Sequence, residues 1–150
     1  MIVRIAELED VSSILMLDKF FNLNFSQNEK EVEDQIKLSN YYVIEKDAEI
    51  MGAISMLDLG EEIFIDSLLI DPRLIDTTID QKLISFVKGY ALKNNKKYLS
   101  MASLCRAEII ELYKKWGFRE LKTTKLHRGK EAKLFFMDLT EKSNEFKVSS

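Results

Sequence analysis

Cysteine, proline and histidine each occur once in the 150 residues, and this scarcity excludes several classes of protein at once. A lone Cys105 cannot close an internal disulfide, so a reducing compartment suits the chain. His127 is the only histidine, and neither residue has partners at metal-ligand spacing, so no metal is expected. One proline, Pro72, and five glycines leave no Pro/Gly-rich linker, and no repeat or low-complexity tract is present. No apolar run approaches the roughly 20 residues that span a bilayer. The first residues, Met1 to Glu7, lack the apolar core of a secretory signal, and a cytoplasmic location is expected. Neither charge sign dominates: 22 basic against 25 acidic residues give a net charge of -3. Such a mixture has no field to draw it onto nucleic acid or an anionic membrane. A composition that is 46% hydrophobic and 31% charged fits a single globular domain, expected over residues 1–139, with a polar tail over 140–150.

Periodicity orders the elements. Ile2 to Ile5 is a short β-type run, and Leu8, Val11, Ile14, Leu15 and Leu17 then recur at helical spacing to about Phe20. Asn28 is placed to cap a second helix over Glu29 to Leu38, with Val32, Gln35 and Ile36 on one side. Strand-like runs follow at Tyr41 to Glu45, Glu49 to Leu57 and Ile63 to Ile70, separated by turns at Lys46–Ala48 and Asp58–Glu62. A helix is expected from Thr78 to Lys93, stopped by Asn94 and Asn95, then a strand over Tyr98 to Ala102. A helix over Ala107 to Trp116 ends at Gly117, and Phe118 to Leu121 and Ala132 to Leu139 are the last strands, joined by a polar loop. The order β-α-α-β-β-β-α-β-α-β-β combines hairpins with a crossover, which calls for a mixed α/β sheet covered by helices on both faces.

Two segments carry a resemblance to a known family. Ile65-Asp66-Ser67-Leu68-Leu69-Ile70-Asp71-Pro72 resembles the fourth strand of the GNAT acyl-CoA-dependent N-acyltransferases, which commonly ends in a hydrophobic-x-Pro step. Ile109 to Phe118, with Leu112-Tyr113 and Gly117-Phe118 at the family's spacing, is similar to its late helix. The closing Leu134 to Leu139 strand also fits, so the resemblance covers about Ile2 to Leu139. It implies the GNAT fold, acetyl-CoA or another pantetheine thioester as donor, and a small-molecule or protein amine as acceptor. It implies Tyr113 as the acid that protonates the departing thiolate. The backbone beside Leu68, Leu69 and Ile70, the helix start at Thr77, Thr78 and Ile79, and Arg106 would contact the donor. Arg106 stands where many members have an asparagine near the pantetheine arm.

One departure bears directly on the donor. The family opens the helix after its fourth strand with Arg/Gln-x-x-Gly-x-Gly/Ala, because glycines let backbone N–H groups approach a diphosphate. Here Ile75, Thr78 and Asp80 occupy those three positions, Asp76 adds a second carboxylate, and no glycine lies between Asp71 and Gln81. A carboxylate about 5 Å from a phosphate charge costs roughly 3 kcal/mol at an effective dielectric near 20. Each lost hydrogen bond to a charged group adds roughly 1.5–3 kcal/mol. Arg73 and Lys82 stand near enough in sequence to offset part of this. Impaired coenzyme A binding is expected. The stretch reads instead as a self-capped helix start, with Thr78 and Gln81 forming a capping box or Thr77 and Asp80 a neighbouring one.

Other candidates are weighed against blander roles. Asp66 on the fourth strand could serve as general base toward an amine, directly or through water, or be an exposed strand carboxylate. Strand alternation places it opposite Ile65 and Ser67. Tyr113 could equally be a helix tyrosine packed beside Leu112 and Trp116. Cys105 reads as a small buried residue, and His127 as part of a solvated basic loop between Lys122 and Lys130. The aromatic run Phe20 to Phe25 either packs a helix end or borders an acceptor pocket. Three functions remain open: an N-acyltransferase; an inactive GNAT-fold binding module; or a subunit that completes a partner, by homodimerising or by extending another protein's sheet.

Overall fold

The structure, a computed structural model, describes residues 1–22, 27–74, 77–104, 107–125 and 131–140. Its elements are β1 (Ile2–Ile5), α1 (Val11–Asn22), α2 (Glu29–Lys37), β2 (Tyr41–Lys46), β3 (Glu49–Asp58), β4 (Glu62–Ile70), α3 (Thr78–Lys93), β5 (Tyr98–Leu104), α4 (Ala107–Lys115), β6 (Arg119–Lys125) and β7 (Glu131–Asp138). This is the order that the periodicity predicts. The strands form one mixed sheet in the order β1-β2-β3-β4-β5-β7-β6. The chain clusters into two compact units, Met1–Leu57 with Ile65–Val87, and Asp58–Phe64 with Lys88–Ser150.

In the first unit, β1 and β3 flank β2 in antiparallel pairs that set Arg4 opposite Val43 and Tyr41 opposite Ser55. The β2–β3 hairpin turns on Asp47 and Ala48, both at positive φ (52° and 65°), as the right-handed strand twist demands. Gly52 of β3 is required for close approach: a Cβ there would lie 3.0 Å from Ile44 Cγ2 and 3.1 Å from the Leu69 carbonyl. Ile14, Val32, Ile36, Val43, Ile44, Ile54, Leu69 and Leu83 are buried, each contributing about 1.5–3 kcal/mol of transfer free energy. Asn28 caps α2 as expected, its side chain accepting the Glu31 N–H at 2.8 Å. Leu8 lies outside helix α1, in a short 3-10 turn over Leu8–Asp10, and is exposed. Two carboxylates of this unit are buried. Asp10 is held by Arg4 through bonds of 2.8 and 3.0 Å, which lower its pKa below that of an ordinary aspartate. Asp18 is buried with no exposure at all.

In the second unit, β5 and β6 pair antiparallel with β7 on either side. Gly117 ends the α4 segment with φ 104°, as a C′ glycine does. Asn95, at φ 60°, ends α3 in the same way, and the Lys96 N–H returns to the Ala91 carbonyl at 2.9 Å. Lys96 Nζ donates to Asp58 Oδ1 and the Gly60 carbonyl, both at 2.6 Å, pinning the turn between β3 and β4. β6 runs four residues beyond the expected Leu121, with Thr123, Thr124 and Lys125 opposite Lys133, Ala132 and Glu131. The polar Lys122–Lys125 stretch hides a strand because pairing with β7, not an apolar face, holds it there.

Candidate functional site

β4 carries the first candidate. Ile65 (1% exposed) and Ser67 (7%) point inward, and Asp66 between them is open to solvent, as the alternation predicts. Beyond Ser67 the alternation ends: Leu68, Leu69 and Ile70 are all buried, the pattern of a strand covered on both faces. Asp66 has its pKa raised, first because neighbouring protein strips water from the carboxyl and second because the Glu31 carboxylate of α2 lies near. A carboxyl shifted this way, with access to solvent, has the properties of a proton acceptor.

Next to it stands a polar cluster that periodicity did not single out. Tyr41, fully buried at the start of β2, donates from its hydroxyl to Gln27 Oε1 at 3.1 Å. Gln27 Nε2 donates to Ser67 Oγ, and Ser67 is also a hydrogen-bond partner of the Tyr41 phenol. The backbone N–H of Gln27 is taken by the Asp18 carboxylate of α1. Desolvation pushes the Tyr41 phenol up to about 12, partly countered by Ser67 and Gln27 and reinforced by the charges of Asp18 and Asp66. Ser55, opposite Tyr41 in the β2–β3 register, is fully buried, and its Oγ finds no partner among the described residues. The signals in the sequence were Asp18 and Ser67, polar residues at core-face positions.

The start of α3 keeps its hydrogen bonds to itself. Thr77, not Thr78, is the N-cap: the helix begins at Thr78, and Thr77 Oγ1 accepts the Ile79 N–H at 3.2 Å. The expected Thr78–Gln81 box is corrected accordingly, because only the residue before the first helical turn can fold its hydroxyl back onto it. The Thr77 N–H goes to the Leu74 carbonyl at 3.2 Å, and the Thr77 hydroxyl donates to the same oxygen. Asp80, fully buried, sets Oδ1 3.0 Å from the Gln81 N–H. Thr77 and Thr78 are exposed, and Ile79 is buried. Arg73 folds back onto Asp71, its Nε 3.0 and 3.1 Å from the two carboxylate oxygens. Two of the N–H groups that would face a diphosphate are thus spoken for, and a buried carboxylate stands among them.

Tyr113 belongs to the second unit, on α4. It is 3% exposed, with its ring 5.6 Å from Trp116 and 5.1 Å from Phe135 between centroids, the latter edge-on. Arg106, Ile75, Asp76, Cys105 and His127 lie outside the described residues, as does the 23–26 part of the aromatic run. Among the described residues no group of His, Cys, Asp or Glu is arranged to hold a metal ion. No described helix is long and apolar enough to cross a membrane.

No protein-family model matches the chain, and no curated protein matches it in sequence. Solved structures do match in fold. Ard1 from Thermoplasma volcanium superposes with a TM-score of 0.81 at 16% identity, over 93% of this chain and 98% of that one. The loading GNATL domain of CurA from Lyngbya majuscula gives 0.79 at 16% identity, over 92% and 97%. The protein yncA from Salmonella typhimurium, in a structure with its cofactor acetyl-CoA, gives 0.72 at 16% identity, over 94% and 95%. The chain has the GNAT N-acyltransferase fold.

Proposed function

We propose that this chain is an N-acyltransferase that moves an acetyl or other acyl group from a pantetheine thioester to an amine, gripping the donor by its arm and not by a diphosphate. The observation that carries this is the α3 start, where Thr77 and Asp80 occupy backbone N–H groups inside an acetyltransferase fold. Acetyl-CoA remains a usable donor, because its arm is the same, but its nucleotide end adds little. The amine, a small molecule or a protein group, attacks the thioester carbonyl carbon and the C–S bond breaks. Asp66 takes the proton that the nitrogen sheds, directly or through a water. Tyr113 gives the sulfur its proton, and backbone N–H groups beside Leu68, Leu69 and Ile70 polarise the carbonyl. Arg106 is assigned to the donor as well.

The test is thiol release from S-acetylpantetheine and from acetyl-CoA, with and without a panel of amines. Amine-dependent release from both donors, with kcat/KM values within about tenfold of each other, is the expected result. Release from neither donor contradicts the enzyme reading.

A second reading, a non-catalytic binding module or partner subunit, is favoured by one observation: Tyr113 is almost wholly packed away against Trp116 and Phe135. Tyr113→Phe separates the two, since an acid role requires turnover to fall and a packing role leaves it unchanged.

A further inference from the structure

The chemistry just described leaves the Tyr41–Gln27–Ser67 cluster without a task. Its three side chains come from the start of β2, the residue before the N-cap of α2, and the middle of β4. Through its side chain and its backbone N–H, Gln27 is bonded to β2, β4 and α1 together. A phenol, an amide and a hydroxyl in such a place avoid the cost of leaving buried polar groups unsatisfied, but gain little net stability over apolar residues. What a satisfied polar cluster adds is direction: its partners meet in one geometry only. The neighbours in sequence show what that geometry holds. Ser67 adjoins Asp66, and four residues after Gln27 stands Glu31, the capping-box residue whose charge reaches Asp66.

We infer that the Tyr41–Gln27–Ser67 cluster is a positioning device for Asp66, clamping the start of α2, and with it Glu31, against the stretch of β4 that carries the base. Its catalytic meaning rests on the base role proposed for Asp66. The titratable groups acting on Asp66 and Tyr41 are Glu31 from α2 and Asp18 from α1. Tyr41 itself stays protonated, so the cluster contributes position and not charge.

Carbon-13 NMR titration of the Asp66 carboxyl in the full chain, with neither donor nor acceptor present, tests this. Glu31→Gln is expected to lower the Asp66 pKa, because a like charge is gone. Tyr41→Phe and Ser67→Ala are expected to lower it too, as the start of α2 loosens and water enters. Tyr41→Phe added to Glu31→Gln should still lower it, as water enters, but by less than Tyr41→Phe does alone, because the part carried by the Glu31 charge is already gone. A cluster that merely packs the fold would lower the melting temperature of both hydroxyl variants and leave the Asp66 titration where it was; that result overturns the inference. So does an unchanged titration in Glu31→Gln, an exposed substitution that the fold tolerates even where Tyr41→Phe does not. Shifted titrations together with no acyl transfer to any amine would sink the enzyme reading and leave the clamp standing.

Discussion

Asp66→Asn is expected to slow acyl transfer by about a hundredfold to ten-thousandfold while the protein stays folded and becomes more stable near neutral pH. The first half follows from removing the proton acceptor. The second follows from the raised pKa, caused chiefly by desolvation and then by Glu31. A group that holds its proton more tightly in the folded chain than in the unfolded one favours folding below the unfolded pKa. That contribution is lost as pH rises through the folded pKa. At neutral pH the ionised Asp66 therefore works against the fold, and asparagine removes the charge. In the wild type, kcat/KM should rise with pH as Asp66 ionises, with its midpoint above that of an ordinary aspartate. Urea unfolding at two pH values and a pH–rate profile read both halves. Activity within a few-fold of wild type would remove Asp66 from the mechanism, and unchanged stability at neutral pH would remove the desolvation argument.

Opening the helix start should let it receive a phosphate. Thr77→Ala with Thr78→Gly and Asp80→Gly frees the Ile79 and Gln81 N–H groups and removes a buried carboxylate. Relief of roughly 3 kcal/mol of repulsion, with one or more new bonds of roughly 1.5–3 kcal/mol to a phosphate, exceeds 4 kcal/mol. Coenzyme A affinity should rise by about a thousandfold, at roughly 1.4 kcal/mol per tenfold, and pantetheine affinity should not move. Losing the cap costs about 1 kcal/mol, and each added glycine up to about as much, so the melting temperature should fall. A triple variant that stays folded and binds coenzyme A no more tightly would show that something other than this turn excludes the diphosphate.

The elements were legible where local chemistry decides them. Asn28 three residues before Glu31, and Gly117 after a helical run, mark helix ends by hydrogen bonds that a short segment makes with itself. Thr77 and Thr78 illustrate the limit: two adjacent hydroxyls can each begin the helix, and the Leu74 carbonyl that accepts from Thr77 decides between them. Asp66 was visible as a polar interruption of an apolar strand. The cluster beside it was not, because Gln27 and Ser67 meet across forty positions of sequence and Tyr41 reads there as an ordinary core aromatic. Asp18 gave a faint sign, four residues after the buried Ile14 on a helix face that should be apolar. Such partners are set by the approach of α2 to β4, which no local pattern encodes.

Isothermal titration of the wild-type chain with coenzyme A and with pantetheine, under one buffer and salt concentration, tests most directly whether the α3 start has ceased to receive phosphate. The two affinities are predicted to agree within about tenfold, the nucleotide end contributing no more than roughly 1.4 kcal/mol. Coenzyme A binding tighter than pantetheine by about a thousandfold, some 4 kcal/mol drawn from the diphosphate end, would contradict it.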